Sequence, residues 1–119
     1  MRIIIETIPH KDQRYDTAGD WYFDDAGSMV IKVSGLGDWR KEFLVAVHEL
    51  IEVGLCSNCG ITAEAVDKFD MNYKGEGEPG DAHDAPYRRQ HFTATTIERQ
   101  LADALCVDWL DYEKQLSEL

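Results

Sequence analysis

Apolar and polar positions fall into short runs over the first third of the chain and then change period. Arg2 to Ile8, Trp21 to Asp24 and Met29 to Val33 are brief, rich in β-branched or aromatic residues and bounded by turn formers, so each predicts a strand. Asp25-Ala26-Gly27 predicts a hairpin between the second and third. His10 to Asp20 is polar, with Pro9 at its mouth, and predicts a loop with a solvent-facing sheet edge. The expectation is a small antiparallel sheet.

From Asp38 the apolar positions Trp39, Phe43, Leu44, Val47, Leu50, Ile51 and Leu55 recur at helical spacing, with Asp38 placed to cap the first turn. The helix should end between Gly54 and Gly60. Val45, Ala46 and Val53 make it apolar on most sides, which predicts a central, buried helix. Thr62 caps a shorter helix to about Phe69. Asn72 to Ala85, with its Gly, Asp, Glu and Pro79, predicts a mobile loop. Asp84 as cap and Pro86 as first residue predict a long helix to about Leu105. Cys106 to Leu119 continues it or restarts at Asp108, packing Trp109, Leu110 and Leu116 inward. Trp21, Trp39, Trp109 and Cys106 are read as core, and His10 as a surface residue. The fold class is α+β, a three-stranded antiparallel sheet followed by three to four helices, in one domain spanning 1–119.

Charged groups inside an apolar helix need a reason, because burying them unpaired is costly. His48 and Glu52 are four residues apart, so they differ by about 40° around the axis and lie one turn apart on one side. They can hold one cation together. Glu49, about 100° from His48, can reach a water beside that cation. The plain structural alternative is that His48 and Glu52 hydrogen-bond each other as a satisfied core pair.

Val47-His48-Glu49-Leu50-Ile51-Glu52 resembles the active-site helix of the zincin metallopeptidases, with Glu52 where the His-Glu-x-x-His motif has its second His. The resemblance covers this helix and the preceding small sheet. It implies a minimal zincin-like fold, a zinc cofactor (or another divalent metal) and metal-assisted hydrolysis of a peptide-like bond in a peptide or protein substrate, with Glu49 as general base.

Catalytic zinc accepts two His and one Glu, so a second His is required elsewhere in the chain. His91, in the first turns of the long helix, is the best candidate. Glu98, seven residues on, returns to within about 20° of the same face as a supporting or fourth ligand. The predicted metal set is therefore His48, Glu52, His91 and Glu98, with Asp81, His83 and Asp84 in the preceding loop as competing donors. Tyr87 and Arg88 flank His91 as candidates to stabilise an oxyanion. Cys56 and Cys59 have the gap of a zinc ligand pair but lack a second pair nearby, and read as helix-end cysteines.

Twelve basic residues against twenty-three acidic ones leave a net charge of −11, which disfavours nucleic-acid and anionic-membrane partners. With 44% hydrophobic residues the chain has the composition of a folded domain. Three cysteines and no signal-like or membrane-spanning apolar run lead to the expectation of a cytoplasmic protein. Two other readings compete. One is a magnesium site of Glu49, Glu52, Glu98 and Asp103, as in the all-helical nucleotide pyrophosphohydrolases, although Glu98 and Asp103 have the wrong spacing. The other is a non-catalytic acidic interaction protein, of inhibitor or DNA-mimic type, with a structural or vestigial metal site.

Overall fold

Met29, Ile31 and Val33 on one face of the third strand and Val30 on the other are all buried, and a strand covered on both faces belongs in the middle of a sheet. In the computed structural model, which describes residues 1–119, it is the middle strand. The sheet consists of β1 (Ile3–Ile8), β2 (Gly19–Phe23) and β3 (Met29–Ser34) in the order β1-β3-β2. β2 pairs antiparallel with β3, Trp21 opposite Ile31, through the expected hairpin. Gly27 has a positive φ there, and the Asp24 carboxylate accepts from the amides of Ala26 and Ser28.

β1, however, pairs parallel with β3, Ile5 opposite Ile31, so the sheet is mixed rather than antiparallel throughout. The chain leaves β1 at Pro9, makes a short 3-10 turn at His10–Asp12 and re-enters on the far side of β3. Side chains tie this connection to the sheet. The Gln13 amide donates to Lys32 O and to Ser34 Oγ, and Arg14 grips the buried Asp20 carboxylate through bonds of 2.7 and 2.8 Å. His10 belongs to the same fastening: its ring nitrogens lie 2.9 Å from Ser34 Oγ and from Asp16, so it is a half-buried tie and not a plain surface residue.

Four helices follow: α1 (Trp39–Asn58), α2 (Ala63–Asn72), α3 (Arg88–Ala104) and α4 (Trp109–Ser117). Asp38, Thr62 and Asp108 cap α1, α2 and α4 by accepting from Arg40, Ala65 and Asp111 amides. α1 lies between the sheet and α3, which explains why it is apolar on several sides. Leu44, Val45, Val53 and Cys56 join Trp21, Ile31, Val33 and Tyr112 in one core. Burial of each large aliphatic side chain contributes about 1.5–3 kcal/mol.

The expected start of α3 at Asp84 and Pro86 is not found. Ala82–Ala85 is spent on a turn, with Ala85 N bonded to Ala82 O, and Tyr87 stands at the N-cap without a side-chain cap bond. His91 thereby falls in the first turn of the helix. The loop before it is partly structured, for Pro79–Asp81 forms a 3-10 turn whose Gly80 is buried.

Three core assignments also fail. Trp39 is 67% exposed on the first turn of α1, with Phe43 as its edge-on aromatic neighbour. Leu110 is 78% exposed, because α4 turns Tyr112 inward and position 110 lies well round the axis from it. Cys106 is exposed in a left-handed conformation, φ 57°, that ends α3 and turns the chain towards α4. No helix is long and apolar enough to cross a membrane.

Candidate metal centre

α1 and α3 pack against each other, and their ionisable residues meet at the contact. His48 and Glu52 come from successive turns of α1, and His91 comes from α3. All three are buried. His48 Nε2 lies 3.2 Å from Glu52 Oε2 and 3.2 Å from His91 Nδ1, and His91 Nδ1 lies 2.9 Å from Glu52 Oε2. Three atoms so spaced form a triangle that can hold a metal ion. Zinc bonded at about 2.0–2.1 Å in a tetrahedron sets its ligand atoms about 3.3 Å apart, close to the observed sides.

The atoms behind the triangle are committed elsewhere. His48 Nδ1 donates to Glu98 Oε1 at 2.7 Å, and Glu98 Oε2 accepts from the buried Tyr112 hydroxyl at 2.5 Å. Glu98 thus stands behind His48 and is not one of the three clustered atoms. The other Glu52 oxygen accepts from Trp21 Nε1 at 3.0 Å. Such outer partners orient metal ligands and set their tautomers.

Without a cation the same groups form an ion-pair network. Burial opposes a charge on His48, but hydrogen bonds to Glu52 and Glu98 outweigh it and raise the imidazole well above its ordinary range. His91 behaves alike: burial lowers it, while Glu52 and Glu78 push it up to about 10. Glu52, opposed by burial but bonded to both imidazoles, is held down near 2.

Glu49 is half-buried and has no hydrogen-bond partner within the protein; it packs against Gly19, where a Cβ would come 2.6 Å from Glu49 Oε1. Burial, followed by the negative charge of Glu52, raises its carboxyl well above the usual range. Glu49, His48, Glu52 and His91 open onto a cavity of about 710 Å³ that is also lined by Gly19 and Asp70.

Other predicted residues are placed differently. Tyr87 is buried beside His91, but its hydroxyl is bonded to Asp70, which also accepts from Tyr15 at 3.1 Å. Arg88 is exposed and lines a separate shallow pocket with Arg89 and Phe92. Neither is aimed at the triangle: the Tyr87 hydroxyl is taken up by its carboxylate partner, and the first turn of α3 points Arg88 outward. Among the loop donors, Asp81 reaches the far side of His91, whereas His83 and Asp84 are exposed and stand outside both metal-capable groups. Asp103 is exposed and away from the cavity, so the four-carboxylate magnesium cluster does not assemble. Cys56 is buried, its thiol pushed up by burial to about 12, while Cys59 is exposed, and the two are not bonded to each other.

Sequence reasoning missed Trp21, Tyr112, Glu78 and Gly80. Trp21 and Tyr112 look like ordinary core aromatics, and only their neighbours in space reveal the hydrogen bonds they donate. Comparison with protein-family models, curated proteins and solved structures yields no match to this chain, so the site's own geometry carries the functional reading.

Proposed function

We propose that the protein is a zinc-dependent hydrolase of zincin-like chemistry, acting on a peptide-like bond with His48, Glu52 and His91 as ligands and Glu49 as general base. The observation that carries this reading is the triangle of His48 Nε2, Glu52 Oε2 and His91 Nδ1, spaced as three corners of a zinc tetrahedron. Two imidazoles and one carboxylate suit zinc better than magnesium or calcium, which prefer oxygen alone. A cation held there supplies Lewis-acid chemistry, polarising a carbonyl and acidifying a water.

The rest of the work falls to the chain. Glu98 and Trp21 hold His48 and Glu52 in place. Glu49 faces the cavity with a carboxylate that binds no other protein group, which leaves it free to take a proton from water and return it to a leaving group. β2 is the edge of the sheet on the cavity side, and an extended peptide pairing along it would present its backbone to the site. Tyr87 and Arg88 have no part in this scheme.

The test is metal analysis of purified protein without a histidine tag, comparing wild type with His48→Ala and His91→Ala. Near-stoichiometric zinc in wild type and its loss in both variants is the expected result. Peptide cleavage would then be screened with Glu49→Gln as the inactive control. Failure of wild type to hold any transition metal, even after zinc is added, would sink the reading. The buried His–Glu network would then be an ion-pair core in an acidic binding protein.

A further inference from the structure

His91 shows a ligand-like arrangement on both sides of its ring, and the proposed zinc site uses only one of them. Nδ1 faces Glu52 and His48. Nε2, on a side chain only 7% exposed, lies 3.1 Å from Glu78 Oε2 and 3.2 Å from Asp81 Oδ1. Both are ion-pair contacts that fall outside hydrogen-bond geometry, so Nε2 is a buried polar atom without a hydrogen-bond partner. A buried ring nitrogen flanked by two carboxylate oxygens that it does not hydrogen-bond is the donor set of a cation site, and these three atoms cluster as closely as a metal requires.

The backbone is shaped for this approach. Gly80, at the centre of the Pro79–Asp81 turn, lies flat against the imidazole, and a Cβ there would stand 2.4 Å from His91 Cγ. Only a residue without a side chain lets the turn bring Glu78 and Asp81 to the same nitrogen. The spacings of 3.1 and 3.2 Å again approach the tetrahedral edge of about 3.3 Å.

Resting on the zinc reading above, we propose that His91 bridges two divalent cations, the inner one at Nδ1 with His48 and Glu52 and the outer one at Nε2 with Glu78 and Asp81. A neutral imidazole has one N–H and one lone pair, so it serves one cation at a time. Holding both requires the ring to release its remaining proton to solvent and bind as the imidazolate. The outer carboxylates are 58% and 68% exposed, against 6% for Glu52, so the outer cation exchanges readily and the inner one slowly. Occupancy of the outer position also pins the Pro79–Asp81 turn onto the ring at one wall of the cavity.

The experiment is a copper(II) titration of the metal-free full chain, its exposed Cys59 and Cys106 thiols alkylated so that neither binds or reduces copper, followed by low-temperature electron paramagnetic resonance, on wild type and on the double variant Glu78→Gln, Asp81→Asn. Wild type should take up two equivalents, and its two-copper form should lose signal intensity through spin coupling across the ring. The double variant, whose changes lie at exposed side chains and whose folding is checked by thermal melting, should take up one equivalent with full intensity. A single equivalent in wild type that His48→Ala abolishes would overturn the bridge and leave the inner site standing. Two uncoupled coppers in wild type, or a coupled pair surviving in the double variant, would overturn the bridge equally. Uptake of no copper would overturn both sites.

Discussion

Glu98 holds His48 from behind, accepting from its Nδ1 at 2.7 Å while Tyr112 anchors the second carboxylate oxygen at 2.5 Å. With Nδ1 donating, the neutral ring has its lone pair on Nε2, the atom that faces Glu52 and His91. The tautomer needed for metal binding is therefore set by a residue that is not itself in the triangle. Glu98→Gln should weaken zinc binding about 10- to 100-fold, the usual loss when an outer partner of a ligand is removed. Competition with a chelating dye measures it, and unchanged affinity would show that Glu98 does not set the ring.

Trp21 plays the matching part for Glu52, donating from Nε1 at 3.0 Å inside the core. Trp21→Phe keeps an aromatic ring but leaves a buried carboxylate oxygen without its donor, which should cost about 1–3 kcal/mol. Denaturant unfolding of the metal-free protein is the measurement. A change within error would mean that water replaces the indole.

Two glycines predict opposite outcomes. Gly80→Ala drives a Cβ against the His91 ring, so it should destabilise the protein by about 1–3 kcal/mol and reduce zinc affinity as the ring is displaced. Gly54, exposed inside α1 with nothing near its added Cβ, should gain about 0.5–1 kcal/mol when changed to Ala. Melting temperatures of the pair, with and without zinc, check both.

Asp70 predicts a pH dependence. Burial raises its carboxyl to about 6 from an ordinary 3.8, although hydrogen bonds from Tyr87 and Tyr15 pull the other way. Because the folded state binds this proton more tightly than the unfolded chain, the group's contribution is complete below about pH 3.8. It is lost as pH rises through about 6. The stability difference between wild type and Asp70→Asn should therefore move against wild type between those pH values and stay level above them. Equilibrium unfolding across pH 3.5 to 8 tests it, and a flat difference would show that Asp70 is not perturbed.

Much of this architecture was legible in the residue pattern. The three strands, the hairpin at Asp25-Ala26-Gly27 and the caps Asp38 and Thr62 depend on local backbone geometry and on side chains a few positions away, and local pattern records such things. His48 and Glu52 were readable as partners because helical spacing alone puts them on one side. His91 was singled out as the missing imidazole by the chemistry of zinc, and the fold brings it to the same point.

What the pattern did not contain is where elements separated in sequence come together. The parallel pairing of β1 with β3 follows from which edge of β3 the chain reaches after Pro9, a choice decided by fastenings such as Arg14 to Asp20 and Gln13 to Ser34. In the same way only packing decided that Tyr112 and Trp21 would donate to the carboxylates, that Tyr87 would spend its hydroxyl on Asp70, and that Trp39 would stay in water. Periodicity tells which side of an element is apolar, but a hydrogen bond between residues 14 or 31 positions apart depends on distances that exist only after the layers have closed.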